Sequence, residues 1–371
     1  MESILTKYAN LLVHYCLEIQ EGDWLYINTT TLAEPLVREV FRLAIRAGAH
    51  VETEFSFADQ GRIFMKEAGE KQLKTLPPFY KQAMEEFDAY LYIRAPFNLR
   101  EDQNADPDKV KIHQEAMGPI RNTYFQRTAT RDLKRNLCQF PTQAAAQEAN
   151  MSLEEYEQFV FNACKLYDPD PVQSWLDVRK AQQQIVDLLN ARSEVRYLGD
   201  GIDIQFKTNG RIWMNSDGQT NMPSGEVYTS PLEDSVNGTV HFSFPAVYMG
   251  HEVEGVTLWV KDGYVEKWEA LRGKSFLDQI FQLPGARRFG EAAIGTNYGI
   301  KQFSKNILFD EKIGGTIHMA IGQSYLQTGG QNKSSVHWDM IADMMNGGMI
   351  FADGEKIYEN GRFLFLDWPE N

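Results

Sequence analysis

The spacing of apolar and polar residues divides the chain into two parts with different patterns. Apolar positions recur at helical spacing over residues 2–20, and a Gly-Asp break then precedes a short apolar strand at 24–27. The alternation continues with a helix over 32–47, a strand over 50–57, a helix over 79–87 and a strand over 88–93. Strands separated by helices are typical of βαβ units, so the first part of the chain is predicted to contain a mostly parallel sheet.

A helical stretch follows this sheet. Segments 106–130 and 143–192 are rich in Ala, Gln, Glu, Lys and Leu at helical spacing. Thr142 is a candidate helix N-cap, and Ser152 with Glu155 three residues later forms a capping-box pattern. This stretch is predicted to connect the sheet to the rest of the chain.

From about residue 194 the apolar residues alternate with a period of two, which indicates strands. Strands are predicted over 195–198, 202–206, 238–244, 253–261 and 316–321. Asp-Gly at 262–263 and 353–354 and Asn-Gly at 360–361 are hairpin-turn signals. Helices are expected over 274–282 and 286–293.

The predicted fold class is therefore α/β with two domains. Residues 1–193 form an N-terminal alternating α/β domain with a mostly parallel sheet and a helical connection. Residues 194–371 form a C-terminal, mainly antiparallel β (α+β) domain.

The charge, the cysteines and the N-terminus indicate which partners, disulfides and cellular location to expect. The 371 residues include 51 acidic and 37 basic side chains, a net charge of -14, which disfavours nucleic acid and anionic membranes as partners. The cysteines Cys16, Cys138 and Cys164 are odd in number and far apart, so no disulfide framework is expected. The N-terminus lacks a basic region and a cleavage site, and no apolar run approaches the roughly 18–20 residues of a membrane span, so a cytoplasmic location is expected.

The first strand lacks the loop that a nucleotide site requires. Asn28-Thr29-Thr30-Thr31 follows it in place of a Gly-rich phosphate loop. A nucleotide-dependent oxidoreductase is therefore disfavoured, and no organic cofactor is predicted.

Five residues of the second part are candidates for metal chemistry. If the segment around Trp338 is extended, its period of two places His337 and Asp339 on one face. His318 lies in an apolar strand, where an imidazole must find a partner. Glu226 and Glu291 each follow a glycine, which lets backbone approach closely.

Two imidazoles and three carboxylates suit divalent ions of the zinc, cobalt or manganese kind, and the set is large enough for two ions with shared ligands. Spacing alone leaves open whether the five side chains converge. The remaining histidines have no local partner at ligand spacing, and structural roles are predicted for His14, His50, His113, His241 and His251.

Four long motifs carry a resemblance to a known family. Segments 222–240, 289–297, 306–325 and 334–340 resemble the thermophilic-type metalloaminopeptidases, family M29, which includes aminopeptidases T, S and PepS. The resemblance covers essentially the whole chain and is strongest over about 220–345. It implies a metal-dependent aminopeptidase whose catalytic domain is the C-terminal one.

The resemblance also implies roles for particular residues. The family's metal ligands fall on five positions: Glu226, Glu291, His318, His337 and Asp339. Its active-site tyrosine falls on Tyr325. Two divalent ions (zinc, cobalt, manganese or magnesium) would then activate a water, and the protein would be a homodimer that acts on short peptides.

A hypothesis for the remaining chemistry follows from these positions. Tyr325 would donate a hydrogen bond to the developing oxyanion, and either Glu226 or Glu291 would carry the proton from water to the leaving amine. Glu233 and Asp234 are secondary candidates for the side that meets the substrate amine, although a solvated turn is the favoured interpretation.

Two other functions use the same ligands. One is a metal-dependent hydrolase of another bond, amidase-like or, less favoured for so acidic a chain, a phosphoesterase. The other is a non-catalytic relative that binds peptides or metal.

Overall fold

The computed structural model describes residues 3–369 of the chain. Contacts divide the chain into two compact units. Unit 1 comprises Met1–Val172 and Gly218–Pro223, and unit 2 comprises Gln173–Asp217 and Ser224–Asn371. The division into domains at residues 193 and 194 stays a prediction.

The helices are α1 (Ile4–Asn10), α2 (Glu34–Arg46), α3 (Gln60–Glu67), α4 (Glu70–Leu73), α5 (Pro78–Glu86), α6 (Pro107–Ala116), α7 (Gly118–Ala129), α8 (Gln143–Glu148), α9 (Leu153–Ala163), α10 (Pro171–Asn190), α11 (Lys274–Ile280) and α12 (Ile307–Asp310). A π-helical segment spans Leu11–Cys16, and 3-10 turns span Thr31–Ala33 and Leu326–Thr328.

The strands are β1 (Trp24–Thr30), β2 (His50–Ser56), β3 (Ala89–Arg94), β4 (Lys134–Gln139), β5 (Glu194–Gly199), β6 (Ile202–Lys207), β7 (Met214–Ser216), β8 (Asn221–Met222), β9 (Glu226–Thr229), β10 (Asn237–Phe242), β11 (Ala246–Tyr248), β12 (His251–Val253), β13 (Val256–Lys261), β14 (Tyr264–Glu269), β15 (Phe289–Gly295), β16 (Thr316–Gly322), β17 (His337–Asp343), β18 (Met349–Ala352), β19 (Glu355–Glu359) and β20 (Arg362–Phe363).

Unit 1 contains the predicted parallel sheet. Its five strands run in the order β2-β1-β3-β4-β8, and every pair is parallel. The predicted caps are confirmed: Thr142 accepts a hydrogen bond from Ala145 N at 3.3 Å, and Ser152 with Glu155 forms a capping box. The alternation of helix and strand along the sequence therefore gives the sheet that βαβ connectivity requires.

The first helix differs from its prediction at its C-terminal end. Helix α1 passes into the π-helical segment and ends at Cys16, whereas the prediction extended to residue 20. Glu18 has a positive φ of 48°, which helical backbone cannot continue through. Residue 2 of that prediction lies outside the described residues.

Unit 2 is built from antiparallel sheets. Eight strands run in the order β14-β13-β10-β6-β5-β18-β19-β20, five run in the order β17-β16-β15-β9-β7, and β11 pairs with β12. The predicted hairpin turns are confirmed. Asp262 and Gly263, for example, have φ values of 48° and 73°, the two positive angles that a type I′ turn needs.

The helix predicted over 286–293 is wrong, because residues 289–293 belong to strand β15 and residues 286–288 form a turn before it. The Ala-rich composition favours a helix by intrinsic propensity. The structure instead buries every residue of β15 and pairs the strand on both sides, with β16 and with β9. Burial and pairing therefore override the local preference.

The five-stranded sheet of unit 2 has one face in the hydrophobic core. Val227, Ile294, Ile317, Met319 and Met340 belong to this core. Since side chains alternate along a strand, the residues between them point to the opposite face. That face carries the candidate site.

No helix within residues 3–369 combines the length and apolar character needed to cross a bilayer.

Candidate metal centre

Strand register places the predicted ligands on one face of the five-stranded sheet. Glu291 pairs with Ala320, and Ala320 pairs with Asp339 on its other side. Directly paired residues share a face, as do residues two apart in one strand. His318 and His337 therefore join Glu291 and Asp339 on this face.

Glu226 reaches the same face from the next strand. It pairs with Gly295, which lies two residues beyond Ala293, the partner of His318. Ala293, Gly295 and Ala320 thus separate the polar side chains of this face. Their small size leaves room above the sheet for charged groups to meet.

Glycines before the two glutamates permit close backbone packing, as the sequence predicts. Gly225 has a φ of +116°, and a Cβ there would lie 2.7 Å from Asn297 Cβ. At Gly290 a Cβ would lie 2.1 Å from the carbonyl oxygen of Gln323, beside an irregularity in the pairing of Glu291. Only glycine fits these positions without displacement of the backbone.

One group of three side chains comprises Glu291, His337 and Asp339, whose ligand atoms lie within 4.8 Å of one another. His337 Nε2 is 3.2 Å from Glu291 Oε2 and 3.7 Å from Asp339 Oδ1. His337 Nδ1 lies 2.8 Å from the carbonyl oxygen of Gln323. His337 therefore donates from Nδ1, so Nε2 is the nitrogen that would ligate a metal held by the two carboxylates once its proton is displaced, as in metal-ligating histidines.

A second group comprises Glu226, Glu311 and His318, again within 4.8 Å. His318 Nε2 is 3.4 Å from Glu226 Oε2. Glu311 is absent from the sequence prediction, because it follows the short helix α12 in the charged run Asp310-Glu311-Lys312. The signal that was available is its position seven residues before His318, at the edge of an apolar strand.

Glu291 links the two groups. Its Oε1 is 3.6 Å from His318 Nε2, while its Oε2 is 3.2 Å from His337 Nε2. One carboxylate thus faces both imidazoles.

Lys312 places a fixed positive charge beside the second group. Its side chain is fully buried, its Nζ is 3.5 Å from Glu226 Oε1, and it pairs with Glu311. Burial alone would lower the pKa of Lys312, but Glu226 and Glu311 raise it above the ordinary value. Lys312 is therefore a cation that offsets part of the carboxylate charge.

Burial and proximity shift the pKa values of the carboxylates in opposite directions. Burial raises the pKa of Glu226 to about 7 and that of Asp339 to about 6. Burial also acts to raise the pKa of Glu291, but the adjacent imidazoles of His318 and His337 outweigh it and lower this pKa to about 2. Glu291 is therefore the permanent anion of the cluster.

The imidazoles respond to the same charges. Burial acts to lower the pKa of both histidines. The carboxylates of Glu291 and Glu226 nevertheless raise the pKa of His318 to about 9. Asp339 and Glu291 raise that of His337 to about 10. The carboxylates of the cluster thus stabilise a positive charge at both imidazoles.

The donor set fits divalent cations. Glu226 Oε2 and Asp339 Oδ1 are buried and have no hydrogen-bond partner in the described part of the chain. Buried carboxylate oxygens without a donor are costly unless a cation meets them. Carboxylate oxygens and imidazole nitrogens without thiolate suit zinc, cobalt and manganese.

Tyr325 lies at the edge of the first group. Its hydroxyl is 3.2 Å from His337 Nε2, and its ring packs edge-on against Tyr228 with centroids 5.6 Å apart. Burial raises the pKa of Tyr325 well above its ordinary value. The phenol therefore stays protonated at neutral pH and can donate a hydrogen bond.

The secondary candidates lie outside both groups. Glu233 pairs with the buried Arg211 at 2.5 Å and accepts a hydrogen bond from Gln331 N. Within residues 3–369, neither group of possible ligands includes Asp234 or any other histidine. His241 contacts Thr257 and His251 stacks on Phe276.

Comparisons with known proteins agree over the whole chain. A family model described as thermophilic metalloprotease (M29) matches residues 1–363. Aminopeptidase 2 of Geobacillus stearothermophilus is 29% identical, with 98% of each chain covered. Aminopeptidase T of Thermus thermophilus is 24% identical, with 97% of this chain and 98% of that relative covered. The solved structure of wild-type AmpT from Thermus thermophilus shares the fold, with a TM-score of 0.84 at 22% identity over 97% of this chain and 99% of that one.

Proposed function

The chain belongs to the thermophilic metalloprotease family M29, and from this premise we propose that it removes N-terminal residues from short peptides with two divalent metal ions. It is a metalloaminopeptidase, a hydrolase of peptide bonds. The observation that carries the two-ion proposal is the pair of ligand groups on one sheet face, with Glu291 between them.

The charge of the cluster accommodates two ions. Glu226, Glu291, Glu311 and Asp339 carry four negative charges when ionised, and Lys312 offsets one. With both imidazoles neutral, one or two divalent ions would each bring the buried cluster close to neutrality, which buried charge requires. The two-ion proposal therefore rests on the two ligand groups and not on the charge sum.

The side chains have distinct parts in the proposed reaction. When bound, two divalent ions would polarise the scissile carbonyl and lower the pKa of the attacking water. Glu291 faces both imidazoles and is the natural shared ligand. Glu226 lies beside His318 and Lys312, and its Oε2 has no hydrogen-bond partner among the described residues. Of the two glutamates, Glu226 is therefore the one that would carry the proton to the leaving amine instead of ligating.

Tyr325 completes the proposed site. Its protonated hydroxyl lies at the metal-facing nitrogen of His337, where it can donate to an oxyanion that forms above the sheet. Glu291, His337 and Asp339 would hold the first ion, while His318 and Glu311 would hold the second, with Glu291 shared between the two ions.

The test is release of amino acid from dipeptides and aminoacyl anilides by metal-stripped protein, before and after addition of zinc, cobalt, manganese or magnesium. We expect cleavage to disappear with the chelator, to return with metal, and to fail on N-acetylated substrates. Metal analysis should find two ions per chain. A single ion in the fully active enzyme contradicts the two-ion proposal, and cleavage that survives complete metal removal contradicts metal dependence itself.

We extend the proposal to a cytoplasmic homodimer, which rests on the family resemblance and on the sequence composition. Light scattering should give twice the chain mass at working concentration. A monomer that remains active would remove the dimer from the proposal and leave the chemistry intact.

A further inference from the structure

Two adjoining cavities of unit 2 lie next to a residue that contacts the first ligand group. The larger, of about 740 Å³, is lined by Gln323, Leu326 and Ser334 among others. Gln323 is the residue whose carbonyl oxygen accepts from His337, so this cavity starts beside a proposed metal ligand. The smaller, of about 390 Å³, shares Pro284 and Asn332 with the first. The two cavities therefore adjoin, and together they are called the groove below.

Two arginines line the far end of this groove. Arg287 and Arg288 are both half-buried. Neither guanidinium forms an ion pair with a carboxylate within residues 3–369. Two cavity-lining guanidinium groups without a carboxylate partner in that range are candidates for binding an anionic ligand.

Both guanidinium groups are held in place before any ligand arrives. Arg287 donates from Nε to Phe281 O at 3.2 Å and lies 4.6 Å from the centre of the Trp268 ring. Arg288 donates from Nη1 to Glu233 O and lies 5.9 Å from the centre of the Tyr264 ring. Fixed arginines with remaining N–H donors are suited to bind a carboxylate.

The strand fixes the backbone separation between Arg288 and Glu291. The carbonyl oxygen of Arg288 accepts from Gly322 N at 2.7 Å, which holds Arg288 at the start of β15, three residues before Glu291. At about 3.3 Å per residue this separation is roughly 10 Å along the strand. An extended peptide advances by at most about 3.3–3.6 Å per residue, so about three residues span it.

We propose that Arg288, with Arg287 beside it, binds the C-terminal carboxylate of a tripeptide substrate whose N-terminus lies at the metal ligands. The proposal rests on the aminopeptidase function proposed above and adds a substrate class to it. A substrate whose C-terminal carboxylate reaches Arg288 has a lower KM. A substrate without this carboxylate is bound only through its N-terminal end, at the metal ligands.

The first test uses the wild-type enzyme and needs no variant. Leu-Gly-Gly, its C-terminal amide and leucine p-nitroanilide are compared with the metal-loaded protein. Loss of a hydrogen-bonded charge pair corresponds to about 10- to 100-fold, so we expect kcat/KM for the amide to be lower by this factor, mainly through KM. Equal cleavage of acid and amide overturns the proposal, while failure to cleave even the anilide overturns the aminopeptidase function on which it rests.

Variants of Arg288 test whether this residue causes the preference for a free C-terminal carboxylate. Arg288→Gln should lower kcat/KM for the free tripeptide by about 10-fold or more while the amide and the anilide are cleaved as by wild type. Arg288→Lys, which keeps the charge, should restore part of the loss. Arg196→Gln is the matched control, because Arg196 pairs with Asp203 on the other sheet and does not line the groove.

Two further outcomes would contradict the proposal. A loss in Arg288→Gln that is equal for all three substrates would show a structural role. Inhibition of anilide cleavage by phosphate or acetate, without an effect of amidation, would show a site for free anions instead.

Discussion

At the scale of single residues, replacement of Tyr325 tests whether this side chain is catalytic or is a metal ligand. The hydroxyl contacts His337 but belongs to neither ligand group. Tyr325→Phe should therefore lower kcat by about 100- to 1,000-fold, the usual effect of removing an oxyanion donor, with metal content unchanged. The measurement pairs steady-state kinetics with metal analysis of the same samples.

Tyr358→Phe is the control for that substitution. Tyr358 is also buried, and its hydroxyl has no hydrogen-bond partner in the described part of the chain. Its loss should leave kcat unchanged. If Tyr325→Phe lost metal as well as activity, Tyr325 would be a ligand rather than a donor.

Proton release on metal binding is a second prediction at this scale. The pKa values of His318 and His337 are raised above the ordinary 6.5, to about 9 and about 10. Below these values each imidazole of the metal-stripped protein carries a proton that a metal must displace. Metal affinity should therefore increase as the pH rises towards 9 and decrease as it falls.

Calorimetric titration of stripped protein with zinc, in two buffers of different ionisation enthalpy, counts these protons. We expect more than one proton released per chain at pH 7. Binding without proton release would mean that the imidazoles are already neutral or do not ligate.

At the scale of elements, the sequence predicts those parts of the candidate site whose conformation follows from the local alternation of residues. It does not predict the parts whose conformation depends on pairing with strands that are distant in the sequence. The alternation in 337–339 is local, so it places His337 and Asp339 on one face without knowledge of the neighbouring strand. Segment 286–293 has no such alternation, and its strand conformation comes from β9 and β16. Glu311 joins the site through the turn after α12, and no periodicity encodes that position.

The small residues of the ligand face lead to a prediction about strand β16. Ala320 lies between Glu291 and Asp339 in one cross-strand row and is fully buried. Ala320→Val adds two methyl groups where the carboxylates approach each other. The expected result is a metal affinity lower by about 10-fold or more with the fold retained, since valine suits a strand.

Ala320→Ser provides the comparison, because serine nearly keeps the volume of alanine. Metal affinity is measured by competition with a chelator, and folding by circular dichroism. Equal affinity in the two variants would mean that Ala320 does not limit the space for the ligands.

At the scale of the whole molecule, helix α10 packs in the core of unit 2, although it precedes the β-rich part of the sequence. Ile185, Val186 and Leu189 contribute to the unit 2 core. Gln182 is fully buried, donates to Asn215 and accepts from Thr296. The sequence places this helix in the connection, because its composition matches the preceding helices and its burial partners are distant along the chain.

Two fragments test where the C-terminal unit begins. Residues 194–371 follow the predicted domain boundary and lack α10. Residues 173–371 begin where the contacts place the start of unit 2 and keep most of α10, although they also include Gly218–Pro223 of unit 1. Without α10 the core loses three buried aliphatic side chains, each contributing about 1.5–3 kcal/mol, and the partners of Gln182 lose their hydrogen bonds. We expect 173–371 to unfold cooperatively and bind zinc, and 194–371 to do neither. Cooperative unfolding and zinc binding by 194–371 would place the boundary at 193 and 194 and make α10 dispensable for the metal centre.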